Sequence, residues 1–130
     1  MSVDTGNDAL RQRMGSQWNA SSAKIVYDNT ALGKGATPWV RFSVIFTGTR
    51  NRTFGDQGIL IEGMVKLQVF VDLNTGEDAA MALAQAFINI FENQRINDIF
   101  LYTGSVIRIG KDPINSSLYQ INAEVPFQAT

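Results

Sequence analysis

The chain has no cysteine and no histidine. The first absence excludes disulfides, thiolate metal sites and a cysteine nucleophile. The second removes the commonest general base and the commonest transition-metal ligand. Charge is also thin. Eleven basic residues against twelve acidic ones leave a net charge of −1. A protein driven electrostatically onto nucleic acid is normally strongly basic, so that class is disfavoured. A near-neutral small domain also lacks the charge that resists association. No apolar run reaches the length of a membrane span, and the N-terminus shows no signal-peptide pattern. The expected compartment is the cytoplasm, with no membrane partner. Asn19, Asn51 and Asn115 open N-x-[ST] triplets; without a secretory signal these read as chance matches.

What remains is a globular composition. At 130 residues, with 45% hydrophobic content, the chain reads as a single domain, 1–130, able to bury a real core. Charge is unevenly spread: residues 1–65 carry seven positive and five negative side chains, residues 66–130 four and seven. Unlike halves suit head-to-tail contacts, and random surface variation explains them equally well.

Residues 4–18 read as a short helix. Leu10, Met14 and Trp18 recur at four-residue spacing and share a face. Gly15 weakens its end. Lys24–Tyr27 reads as a short strand, and Asp28–Thr37, with Gly33 and Gly35, as a loop. Pro38 sets up an extended entry. Trp39–Thr47 then alternates, with Val40, Phe42, Val44 and Phe46 on the core side. Gly48–Gly58 reads as a loop too long for a plain hairpin. Ile59–Asp72 alternates again, and at about 3.3 Å per residue it spans roughly 45 Å. That is long for a small domain, so part of it is expected to project as an arm. Gly63 falls in phase with no side chain, which predicts a bulge or bend.

Asn74 or Thr75 is the expected cap of the next helix, with Glu77 and Asp78 favouring its positive end. Ala79, Ala80, Leu83, Ala84, Phe87, Ile88, Ile90 and Phe91 form an apolar face wider than one sheet requires. The excess suits the N-terminal helix or a neighbouring subunit. Ile99–Tyr102 and Ser105–Gly110 read as a hairpin turning at Thr103-Gly104. Leu118–Gln128 alternates once more, and Pro126 predicts that this strand ends at, or lies along, a sheet edge. The fold class is therefore α+β: a mostly antiparallel sheet with a long β-hairpin arm and two helices packed on one side.

No residue pattern here specifies chemistry. Gly33-Lys34-Gly35 is not placed between a strand and a helix as a phosphate loop requires. Glu77 and Asp78 with Asp72 offer oxygen ligands for a hard cation, but helix capping explains the first two better. No catalytic residue, cofactor or metal is expected. The best functional candidate is the long loop. Arg50 and Arg52 suit partner carboxylates or phosphates, Asp56 adds an acid, and Phe54 sits in a polar stretch that a core does not explain. A solvated loop without a partner is the plain alternative. Trp18 and Trp39 are candidate interface anchors, with core packing the stronger reading for both.

Three segments carry a resemblance: PWVRFSVIFTGTRNRTFG, GILIEGMVKLQVFVDLNTGEDAAMALAQAFINIF and SVIRIGKDPINSSLYQINAEVPFQA. In order and length they resemble the tail terminator proteins of long-tailed bacteriophages, the lambda-like minor tail protein family. The resemblance implies a structural protein of the virion tail with no enzyme activity. It implies a homohexameric ring that caps the tail tube, stops its growth and meets the neck of the head. The implied partners are copies of itself, the tail tube protein and a neck or connector protein, with genomic DNA only passing through the channel. The implied location is the head–tail junction, reached by assembly in the host cytoplasm. The rival readings are a neck or head–tail joining protein of similar fold, the tail-tube protein itself, a small nucleic-acid-binding module and a small enzyme.

Overall fold

The structure is a computed structural model, and it describes residues 3–18, 23–27, 38–51, 59–73, 77–111 and 118–129. Two helices, α1 (Val3–Gln17) and α2 (Asp78–Phe91), lie against one sheet. Its strands are β1 (Lys24–Tyr27), β2 (Trp39–Asn51), β3 (Ile59–Asp72), β4 (Arg95–Ile96), β5 (Ile99–Leu101), β6 (Ser105–Lys111) and β7 (Leu118–Ala129). The spatial order is β1-β2-β3-β7-β5-β4, with β6 also on β7. Among the described residues, only β1 and β2 pair in parallel. The sheet curls into a half-barrel, and the α+β class holds.

The core lies between sheet and helices. Leu10, Met14 and Trp18 are buried, as their spacing predicts, and the Trp18 indole donates to the Ala23 carbonyl at 3.0 Å. Phe42 stacks on Phe91 at 5.7 Å between centroids and meets Phe87 edge-on at 6.2 Å. The wide apolar face of α2 is taken up inside the subunit. Its buried residues run from Ala80 to Phe91, and Arg13 on α1 donates to the Ile90 carbonyl at 2.9 Å. Of the two candidates for the excess face, the N-terminal helix takes it. Trp39 is buried too, but on the helix-free face of the sheet, stacked on Phe70 at 4.2 Å in a satellite cluster with Val26 and Leu118.

Four expectations need correction. First, β5 and β6 do not form a hairpin. Both pair antiparallel with β7, Leu101 opposite Phe127 and Ser105 opposite Glu124. They are one broken strand. Thr103-Gly104 is the step in it, held where the Gly104 N–H donates to the Glu92 carboxylate at 2.7 Å. A Thr-Gly pair signals a local irregularity; the partner strand decides whether the chain reverses there. Second, β7 is not an edge. It lies between β3 and the β5–β6 strand. The Pro126 carbonyl accepts from the Tyr102 N–H at 2.9 Å, so the absent proline N–H faces the break rather than β3.

Third, β2 does not end at Thr47. It runs to Asn51, past a register shift between Phe46 and Gly48. That bulge keeps the two long strands paired and shortens the expected Gly48–Gly58 loop. Fourth, Gly63 is not itself a bulge. β3 pairs with β7 in unbroken register from Ile61 to Asp72, and the irregularity lies on β2 beside it. The first turn of α2 also sits later than expected: Glu77 is its N-cap, without a side-chain capping bond. Asn74 and Thr75 lie outside the described residues.

Candidate assembly surface

The geometry of the arm follows from the registers. From Ile61 to Phe70, β3 is flanked by β2 on one side and β7 on the other. Beyond Ile61 it has β2 alone, through Leu60 opposite Arg50 and Ile59 opposite Asn51. Among the described residues, the part of β3 that extends beyond β7 is therefore Ile59 and Leu60. Thr47, Gly48 and Thr49 leading into it are exposed. The backbone of Arg50 belongs to β2. The Arg50 side chain, and Arg52, Phe54 and Asp56 entirely, lie outside the described residues.

The helix-free face of the sheet is the second surface. Alternation places Ile45, Met64 and Pro126 in one row across β2, β3 and β7. Ile45 and Pro126 are exposed and Met64 half-buried. Phe100, opposite Gln128, extends the apolar area toward β5, and the Arg95 guanidinium lies 4.9 Å from its ring. Tyr102 reaches back to donate to Gln128 Oε1 at 2.8 Å. Further along, the face turns polar. Gln120 and Asn122 are buried there, and the Gln120 amide donates to Asn122 at 2.8 Å.

A third feature ties helix to sheet. Glu77, at the start of α2, receives Arg108 from β6 at 2.9 Å and the Tyr119 hydroxyl from β7 at 3.0 Å. The bond to Glu77 pushes the Tyr119 phenol above its ordinary range. Nothing in this arrangement is aimed at a substrate; it holds three elements in place. Among the described residues, no group of three His, Cys, Asp or Glu side chains is set to hold a metal ion. Asp78 sits in the first turn of α2, where its charge favours the helix end.

Sequence reasoning missed β4 and the aromatic patch beside it. The signal was there. Asn97 takes a φ of 53° in the two-residue turn from Ile96 to Ile99, and Asn-Asp is a turn pair that tolerates it.

Comparison with known proteins then bears on function. Residues 7–125 match the family model described as phage tail terminator protein. No curated protein matches the chain. One solved structure superposes with a TM-score of 0.65 at 12% identity, covering 95% of this chain and 94% of that one. At that identity the likeness speaks for the fold alone.

Proposed function

This chain belongs to the phage tail terminator family, and from that premise we propose that it forms the ring that ends the tail tube and meets the head. The family is structural and not enzymatic, and it places the protein in the virion tail. The proposal goes further: six copies close around the tube end, one ring face matches the last tube ring, and the other lacks the surface that recruits more tube subunits. The mechanism is steric and adhesive. Partners are copies of the chain, the tail tube protein and a neck protein. DNA passes through the channel without tight contact, consistent with the net charge of −1. Assembly takes place in the host cytoplasm.

The observation that supports this reading is a family match spanning nearly the whole chain. The α2 face adds nothing to it, since α1 covers that face within one subunit. The hairpin tip is the assigned contact element, with Arg50 and Arg52 suited to partner acids, Asp56 to a partner cation and Phe54 to apolar burial. No cofactor is required. Mass measurement on assembled tails tests the reading. Six copies per particle is the expected result; one or two copies would refute a ring.

A further inference from the structure

We infer that the free subunit pairs with a second copy of itself through β6, the two strands lying antiparallel about a twofold axis at Ile107. This goes beyond the ring reading and does not rest on it. A twofold contact uses the same patch on both copies and closes at two, so it describes the chain before assembly. Among the described residues, β6 has β7 on one side and no strand on the other. The strand is open to solvent: Ile107 and Ile109 are each 43% exposed, and Ser105, Arg108 and Lys111 are exposed too.

The two ends of α2 hold this strand in shape. Glu92, just past the helix, accepts from the Gly104 N–H at 2.7 Å. Glu77, just before it, holds the Arg108 guanidinium at 2.9 Å. β6 is therefore set as an edge without a neighbour beyond it. The features that guard an edge begin only past Ile107. They are Arg108 itself, the register shift between Arg108 and Gly110, the φ of 92° at Gly110, and Lys111. An unguarded apolar residue is left in a short pairable stretch. A free peptide laid on so short a stretch would bear the full entropic cost of ordering itself. A β6 already ordered within another folded chain bears little of it, so the fitting occupant is a second copy.

The residues select one register. Val106 packs against the core and Arg108 reaches α2, while Ile107, opposite Asn122, lies on the helix-free face. A twofold axis normal to the sheet keeps the helices of both copies on one side. Opposed residues must then share a face, which requires the axis to pass through a residue and not between two. Centred on Arg108, the pairing would set two guanidinium groups opposite each other. Centred on Val106 or earlier, it would run into Gly104, whose N–H is already given to Glu92. Centred on Ile109 or later, it would be broken by the bulge. Centred on Ile107, it sets the two isoleucines together and each Arg108, bound to its own Glu77, opposite a Val106. In that register no like charges stand opposite each other, and Ile107 gains an apolar neighbour.

The chain has no native cysteine, so a single introduced thiol reports cleanly. Directly opposed antiparallel residues have Cα atoms about 4.5–5.5 Å apart, within disulfide reach. Ile107→Cys, oxidised as the free protein, should give a covalent dimer on a non-reducing gel. Ser105→Cys is the control. It lies on the same strand and is exposed, but four residues of offset put it roughly 13 Å along the strands from its twofold mate. It should cross-link at least about tenfold more slowly. Ile107→Lys should weaken two-copy association by about tenfold or more in analytical ultracentrifugation, with the circular dichroism of the single copy unchanged. Hydrogen exchange of the Ser105–Ile109 amides should slow as wild-type concentration rises. Wild-type protein that stays single-copy at high concentration overturns the proposal, as does a dimer that persists in Ile107→Lys. Equal cross-linking of the two cysteine variants overturns the register and the proposal with it. A six-copy species in solution with no two-copy species overturns it and leaves the ring reading standing.

Discussion

Gly63 lies beneath the ring of Phe127: a Cβ built on it would fall 2.7 Å from Phe127 Cζ and against the Ile45 carbonyl oxygen. Its two cross-strand partners are Phe46 and Phe127, whose rings meet edge-on at 5.6 Å. The glycine is a place for aromatic side chains from both neighbours to meet over a bare backbone, which restores the packing that the missing side chain gives up.

Gly63→Ala should therefore destabilise by about 1–3 kcal/mol, although alanine is normally the better strand residue. Gly48→Ala is the control. A Cβ there meets nothing within 4 Å, so the change should be neutral or stabilise by roughly 0.4–1 kcal/mol. Denaturant midpoints of the two variants check the pair. Equal effects would show that the Phe127 contact does not decide the sign.

Alkaline stability should depend on Tyr119. Its folded pKa is raised, first by the hydrogen bond to Glu77. The neutral phenol is the donor, so the contribution is fully present below the unfolded value of about 10 and is lost as pH rises through the folded value. Tyr119→Phe should flatten that part of the stability–pH curve. Glu77→Gln should bring the Tyr119 titration down toward the ordinary phenol range. Denaturation midpoints followed from neutral to strongly alkaline pH test the first. Nuclear magnetic resonance titration of the tyrosine ring tests the second.

The helix pair should behave as core and not as interface. Leu10 and Met14 are fully buried within one subunit. Leu10→Ala or Met14→Ala should each cost about 2–5 kcal/mol. Arg13→Ala, which removes the bond to the Ile90 carbonyl, should cost about 0.5–1.5 kcal/mol. Protein concentration should not change these differences. A loss that shrinks as concentration rises would place the residues in an intersubunit contact instead.

Replacing Arg50, Arg52 and Phe54 together by Ser should leave the domain's stability within about 0.5 kcal/mol of wild type, because substitutions in loops generally contribute little to a domain's core. Tail completion should fail, seen as overlong tubes or as tails that do not join heads. Infectious particles at normal yield would show the hairpin tip to be a bystander.

The strongly periodic elements were legible from the residues. Both helices, both long strands and the last strand were visible, because a buried face imposes period 3.6 or period 2 on the chain whatever its neighbours. The pairings were less visible. Thr103-Gly104 carries the same local signal whether the chain reverses or steps, and only the length of β7 lets it hold β5 and β6 end to end. Pro126 reads as an edge residue by local rule, yet it sits in a central strand opposite the break.

By itself, then, the sequence determined the α+β class, the buried stripe of α1, the long hairpin and the membership of a structural tail family. It also settled the missing Cys and His chemistry, since residue types alone decide that. Tertiary structure decided which strands are neighbours, that α1 covers the apolar face of α2, and that Gly63 serves Phe127. These are contacts between segments far apart in the chain. Local propensity holds no record of them; they follow from which pairings bury the most apolar surface while satisfying the backbone.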